Sequence, residues 1–103
     1  MDRIQSLQKF LEDSPEDNFL QHALALEYIK AGNEQEARNL FETILARDPG
    51  YTGSYYHLAK LLERTGHTRD AIKIYETGME HCKKNNDNHA YNELRAAYED
   101  LVL

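Results

Sequence analysis

Leu24-Ala25-Leu26-Glu27-Tyr28-Ile29-Lys30-Ala31-Gly32-Asn33-Glu34-Gln35-Glu36-Ala37-Arg38-Asn39-Leu40-Phe41 is echoed by Leu58-Ala59-Lys60-Leu61-Leu62-Glu63-Arg64-Thr65-Gly66-His67-Thr68-Arg69-Asp70-Ala71-Ile72-Lys73-Ile74-Tyr75. The identities fall on residues that shape helices and turns. Leu24 pairs with Leu58, Ala25 with Ala59, Gly32 with Gly66, Ala37 with Ala71 and Phe41 with Tyr75, all at an offset of 34. Pro15 and Pro49 bracket the first copy at the same offset. A fixed period of this length marks a stacked repeat architecture, in which each unit buries its apolar stripe only against its neighbours.

Each period reads as two helices. Phe19, Leu20, Ala23, Leu24, Leu26 and Ile29 have helical spacing within 15–30. Ser14-Pro15-Glu16-Asp17 is the expected start, with a hydroxyl cap, proline in the first turn and acids at the positive helix end. Gly32 supplies the left-handed stop. The stretch 34–47 follows with Ala37, Leu40, Phe41, Ile44 and Leu45, and Asp48-Pro49-Gly50 is a turn. The second period predicts helices over 52–64 and 68–83, then a polar loop from Lys83 to Asn88. A further helix spans 89–102 with Tyr91, Leu94, Ala97, Tyr98 and Leu101, and another precedes the repeats at 2–13 with Ile4, Leu7, Phe10 and Leu11. No strand alternation is visible. The expectation is six helices and no sheet. Ala25, Ala37, Ala59 and Ala71 are expected at close helix crossings, with Tyr28, Phe41, Tyr55 and Tyr75 filling the spaces between.

These residues resemble the tetratricopeptide repeat, whose signature sets aromatic, leucine, small, glycine, alanine and proline positions at fixed spacings. The first period matches at Leu24, Ala25, Tyr28, Gly32, Ala37, Phe41, Leu45 and Pro49, with Gln21 where the opening aromatic belongs. The second matches at Tyr55, Leu58, Ala59, Gly66, Ala71 and Tyr75. It departs by Leu62 for an aromatic, Gly78 for alanine and Lys83 for proline. The last helix matches at Tyr91, Leu94 and Tyr98 after a two-residue shift of frame, which implies a long loop at 84–88. The resemblance implies an all-α fold: a right-handed α-α superhelix of stacked helical hairpins. It implies a single domain over 1–103, with an N-terminal half repeat at 1–14, repeats at 15–49 and 50–83, and a C-terminal capping helix at 88–103.

The resemblance also implies a protein–protein interaction module, a scaffold or adaptor that holds a peptide or partner helix in a concave groove lined by the first helix of each repeat. By position, the groove residues are Phe19, His22, Leu26, Tyr56, His57, Lys60 and His89. Relatives that clamp the carboxylate tails of chaperones use lysine, asparagine and arginine at positions that read His22, Leu26, His57, His89 and Glu93 here, so that version is not expected. The alternative is a self-associating structural unit that forms homo-oligomers through its terminal helices, where Ile4, Leu7, Phe10, Leu11, Tyr91, Val102 and Leu103 are the apolar candidates.

Composition and motifs narrow the function classes. Apolar residues make up 41% of the 103, charged residues 29%, and the net charge is −6. An acidic chain of this kind lacks the basic field of nucleic-acid binders, so no nucleic-acid partner is expected. No run approaches the ~18 apolar residues of a membrane span, so no membrane partner is expected either. Cys82 has no second cysteine to pair with, which fits a reducing, cytoplasmic setting. His81 and Cys82 are adjacent on a helix and point apart, so they are not read as a catalytic pair. His22, His57 and His89 lack helical ligand spacing and a cysteine partner, so they are not read as a metal site. No phosphate loop, nucleophile–base arrangement or metal motif is present, so neither enzymatic activity nor a cofactor is expected.

Overall fold

The computed structural model describes residues 2–103, which form six α-helices and no strand. Met1, the first residue of the expected half repeat, lies outside the described residues. The chain divides into two compact units, the first ending at Arg47 and the second beginning at Asp48. It has an all-α helical repeat fold.

The first unit holds α1 (Arg3–Asp13), α2 (Asn18–Lys30) and α3 (Glu34–Arg47). Asp2 opens α1 with a capping box: its carboxylate accepts from Gln5 N–H at 2.8 Å, and the Gln5 side chain accepts from Asp2 N–H at 3.2 Å. The start of α2 differs from the expectation. Its cap is Asp17, whose Oδ1 accepts from Leu20 N–H at 3.0 Å, while Ser14 closes α1. Asp17 N–H bonds to the Ser14 carbonyl, so residues 14–17 form a separate turn and Pro15 stays outside the helix. Leu7, Leu24, Ala25, Ala37, Phe41 and Ile44 are buried.

Gln21 accounts for the missing aromatic. It is buried, its Nε2 donates to the Pro15 carbonyl at 2.9 Å, and its Oε1 accepts from Arg47 Nη2 at 2.8 Å. The side chain ties the start of α2 to the 14–17 turn and to the end of α3. Tyr28, expected in the core, is half-buried, and its hydroxyl accepts from Gln8 Nε2 at 3.0 Å.

The second unit holds α4 (Gly53–Arg64), α5 (Thr68–Lys84) and α6 (Asn88–Val102). Tyr55, Leu58, Ala59, Leu61, Leu62, Ala71, Tyr75, Cys82, Leu94 and Ala97 are buried. Gly78 explains its own departure from alanine. A Cβ there would stand 2.8 Å from Tyr55 Cβ and Cγ and 2.9 Å from Leu94 Cδ1. Only glycine lets α5 approach both helices this closely.

The expected long loop between α5 and α6 is a short turn. Helix α5 runs to Lys84, and the link is Asn85-Asn86-Asp87. Its hydrogen bonds copy those of the glycine turns. Gly32 N–H reaches Ile29 O and Asn33 N–H reaches Tyr28 O; Gly66 reaches Glu63 and His67 reaches Leu62; Asn86 reaches Lys83 and Asp87 reaches Cys82. This is the Schellman closure, and it needs a left-handed residue. Gly32 and Gly66 supply φ of 82° and 84°, and Asn86 supplies 55°. Asparagine is one of the few side-chain residues that tolerate this region. The extra residues lengthen α5 rather than the loop.

Candidate functional site

In the second unit, Tyr56, His57 and Lys60 occupy one stripe of α4, on the side away from buried Tyr55, Leu58, Leu61 and Leu62. Spacings of three and four residues place such side chains next to one another on a helix. All three are half-buried. The rings of Tyr56 and His57 meet edge-on with centroids 5.6 Å apart. Burial lowers the His57 pKa below the ordinary value, and the Glu93 carboxylate on α6 partly opposes this. Near neutral pH His57 is an uncharged imidazole, with one nitrogen to donate and one to accept.

Lys60 is tethered rather than projecting. Its Nζ lies 3.7 Å from Glu63 Oε2, and the same oxygen accepts the Tyr75 hydroxyl. Burial, then the hydrogen bond to Glu63, then the charge of that carboxylate push the Tyr75 pKa up, so the phenol stays protonated. Glu63 was not among the groove candidates. Its place three residues after Lys60 was the signal available in the sequence. With Glu63 and Glu93 included, the face mixes an aromatic ring, a neutral imidazole, one cation and two carboxylates. His89 stands exposed at the start of α6, where its charge acts on Asp87.

In the first unit, the α2 candidates are more apolar. Phe19 is 69% exposed, and Leu26 is half-buried. His22 leans edge-on against the ring of buried Phe41, with centroids 5.5 Å apart.

A second recess lies within the second unit, between α5 and α6. It is an open cleft of about 480 Å³ lined by Glu76, Met79, Glu80, Lys83, Tyr91 and Tyr98. Both tyrosines are half-buried. The Tyr98 hydroxyl donates to Glu76 Oε2 at 3.1 Å, and this bond is the main reason its pKa is raised. Lys83 Nζ sits 5.3 Å from the centre of the Tyr91 ring. The sequence offered Tyr91 as an apolar candidate for association of copies and gave Tyr98 only a packing role.

Cys82 is buried, and burial raises its pKa, with the Asp87 charge adding to the effect. Its neighbour His81 stacks on the Tyr55 ring at 5.9 Å. Among the described residues, no group of three histidine, cysteine or acidic side chains is arranged to hold a metal ion, and no helix is long and apolar enough to cross a membrane.

A tetratricopeptide repeat model matches residues 28–98. The solution structure of a tetratricopeptide repeat domain protein from Salinibacter ruber is 41% identical, over 85% of this chain and 89% of that one, with a TM-score of 0.82. A protein of Bordetella parapertussis is 21% identical over 98% of this chain and 88% of that one, at TM-score 0.84. The TPR2B domain of yeast Sti1, in complex with pHsp70, is 15% identical over 95% of this chain and 78% of that one, at TM-score 0.87. No curated protein matches the chain. With the family model covering most of its length, the chain belongs to the tetratricopeptide repeat family.

Proposed function

We propose that the protein is a non-enzymatic, cytoplasmic interaction module, a scaffold or adaptor that binds a peptide or partner helix through the outward faces of its first-in-repeat helices. The organisation proposed is two repeats, 15–49 and 50–83, flanked by a half repeat and a capping helix. The observation that carries the reading is the α4 stripe. Tyr56, His57 and Lys60 lie half-buried along one stripe of a helix whose opposite side is fully buried. The family supports the reading, and so does the structural relative whose TPR2B domain is in complex with pHsp70. Phe19, His22 and Leu26 of α2 and His89 of α6 are the accessory contacts proposed.

The neutral His57 and the tethered Lys60 suit a ligand that brings a hydrogen-bonding group and one acidic side chain. A random peptide library selected on the immobilised protein gives the probes, and calorimetry measures the enriched peptides. The expected result is at least a tenfold loss of affinity in the Tyr56→Ala, Lys60→Ala double variant, with unchanged circular dichroism. Equal affinity for both proteins overturns the assignment.

A second use of the chain, association of copies through the terminal helices, is favoured by one observation. Phe10 on α1 is 61% exposed. At the equivalent place in each full repeat, 34 and 68 residues on, Ile44 and Gly78 are fully enclosed.

A further inference from the structure

The 34-residue register shows what the α5/α6 cleft is built to receive. In the second repeat, α5 closes on α4 through Ala71, Tyr75, Gly78 and Cys82, and Gly78 abuts the Tyr55 ring. Tyr55 and Leu62 are thereby buried. The places on α6 that match Tyr55 and Leu62 in the shifted frame are Tyr91 and Tyr98. These two line the open cleft instead. Subtracting two periods from the closing residues of α5 gives Arg3, Leu7 and Phe10 on α1 and Ser14 at its C-cap. So α1 is a helix of the closing type, with Phe10 turned outward, and α6 is a helix of the receiving type, with Tyr91 and Tyr98 uncovered.

The charges run in matching order. In a repeat the closing helix lies antiparallel to the receiving one, so its end meets the other's start. The start of α6 carries Tyr91 with Lys83 over its ring, and the later turn carries Tyr98 bonded to Glu76. Glu80 lies between Glu76 and Lys83 on α5. The open stripe of α1 is lined by Ser6, Lys9, Phe10 and Asp13. Laid antiparallel in the register of the internal repeat, Phe10 falls at Tyr91 as Gly78 does at Tyr55, with Asp13 towards Lys83 and Lys9 towards Glu80 and Glu76. The cleft is wide enough for a ring where the internal repeat allows only glycine.

We propose that copies of this chain pair head to tail, with α1 of one copy seated in the α5/α6 cleft of the next. This rests on the second reading above and names its two surfaces. The contact is heterologous, so it closes into a ring or continues as a filament.

Light scattering over a wide concentration range tests it, with two variants each blocked on one surface. Phe10→Asp spoils the plug; Glu76→Lys with Glu80→Lys spoils the cleft. All these side chains are exposed, and thermal melts check that folding is kept. The wild type is expected to gain mass with concentration, and each variant to stay monomeric alone. An equimolar mixture of the two variants is expected to form a capped 1:1 dimer, because one offers an intact cleft and the other an intact α1. Adding Lys9→Glu to the cleft variant is expected to restore its self-association. A wild type that stays monomeric throughout removes both the second reading and this pairing. A wild type that associates while the mixture stays monomeric, or while Phe10→Asp associates equally well, leaves self-association standing and overturns the head-to-tail assignment.

Discussion

Gln21 and Tyr55 hold equivalent places in the two units, and both reach back to the carbonyl of the proline before their helix. Gln21 Nε2 donates to Pro15 O at 2.9 Å, and the Tyr55 hydroxyl donates to Pro49 O at 2.6 Å. The residues opposite them in register differ in the other direction. Ile44 is large where Gln21 is the smaller partner, and Gly78 is absent of side chain where Tyr55 is large. Volume has moved from one helix of the hairpin to the other, while the anchor on the proline turn is kept. A second exchange accompanies it. Phe41 corresponds to Tyr75 and Ile29 to Glu63, so an apolar pair of positions in the first unit becomes a hydrogen-bonded tyrosine–glutamate pair in the second. The repeat therefore conserves a set of joint constraints rather than a set of residues.

Gly78→Ile places the α3 side chain into α5 and is expected to destabilise the second unit most. The Cβ alone already meets Tyr55 Cβ and Cγ at 2.8 Å, and neither atom is the free end of a flexible chain. Overpacking of this kind costs about 1–3 kcal/mol and sometimes more, and we expect the upper end or beyond. Adding Tyr55→Gln restores the pairing of the first unit and should recover part of the loss. Urea denaturation of the wild type, the single variant and the double variant measures both effects. A single variant as stable as the wild type removes the volume argument.

The tyrosine–glutamate pair offers a finer cut. Glu63→Ile leaves the enclosed Tyr75 hydroxyl without its acceptor, at roughly 1–3 kcal/mol. Tyr75→Phe removes the hydroxyl and leaves Glu63 to Lys60, at about 0.5–1.5 kcal/mol. Making both changes reproduces the Phe41 and Ile29 identities and should cost less than the sum. A double-mutant cycle by chemical denaturation is expected to give a coupling of about 0.5–3 kcal/mol. Additive costs mean that the two side chains do not act as a pair.

Much of this architecture was legible in the sequence because packing constraints recur at a fixed interval. The glycine at 32 and 66, the alanines at 25, 37, 59 and 71, and the boundaries of α3 at 34–47 could all be read directly. What could not be read depends on substitutes that keep a role while changing residue type. Gln21 does the anchoring of an aromatic, and no periodicity reveals that an amide and a phenol can serve one carbonyl. Asn86 does the work of a glycine, and counting on a 34-residue frame hides it, because it lies 20 residues after Gly66. The candidate site was legible only as a stripe. Position places Tyr56, His57 and Lys60 together, but that Lys60 shares Glu63 with Tyr75 is a tertiary fact. The cleft between α5 and α6 was missed because Tyr91 and Tyr98 carry the same apolar pattern whether covered or open.

The smallest expected effect concerns the one turn of the three that lacks glycine. Asp87 joins three elements there. Its Oδ2 accepts from Thr52 Oγ1 at 2.8 Å, its Oδ1 accepts from Ala90 N–H at 3.1 Å, and its own N–H closes the turn onto Cys82 O. The bond from Thr52, then that from Ala90, hold its carboxyl below the ordinary 3.8, against a minor opposing push from burial and with help from His89. Both bonds favour the charged form because a carboxylate accepts more strongly than a carboxylic acid. The folded state then binds fewer protons than the unfolded one between the depressed pKa and 3.8. The stabilisation is complete above the unfolded value and is lost as pH falls through the folded one. Asp87→Asn keeps an acceptor for Ala90 but carries no titrating charge. Its melting temperature should lie slightly below the wild type at neutral pH, and the gap should close as pH falls from 5 towards 2. Parallel curves across that range mean that the turn is held by its Asn86 backbone geometry, as the glycine turns are, and that the Asp87 charge adds nothing.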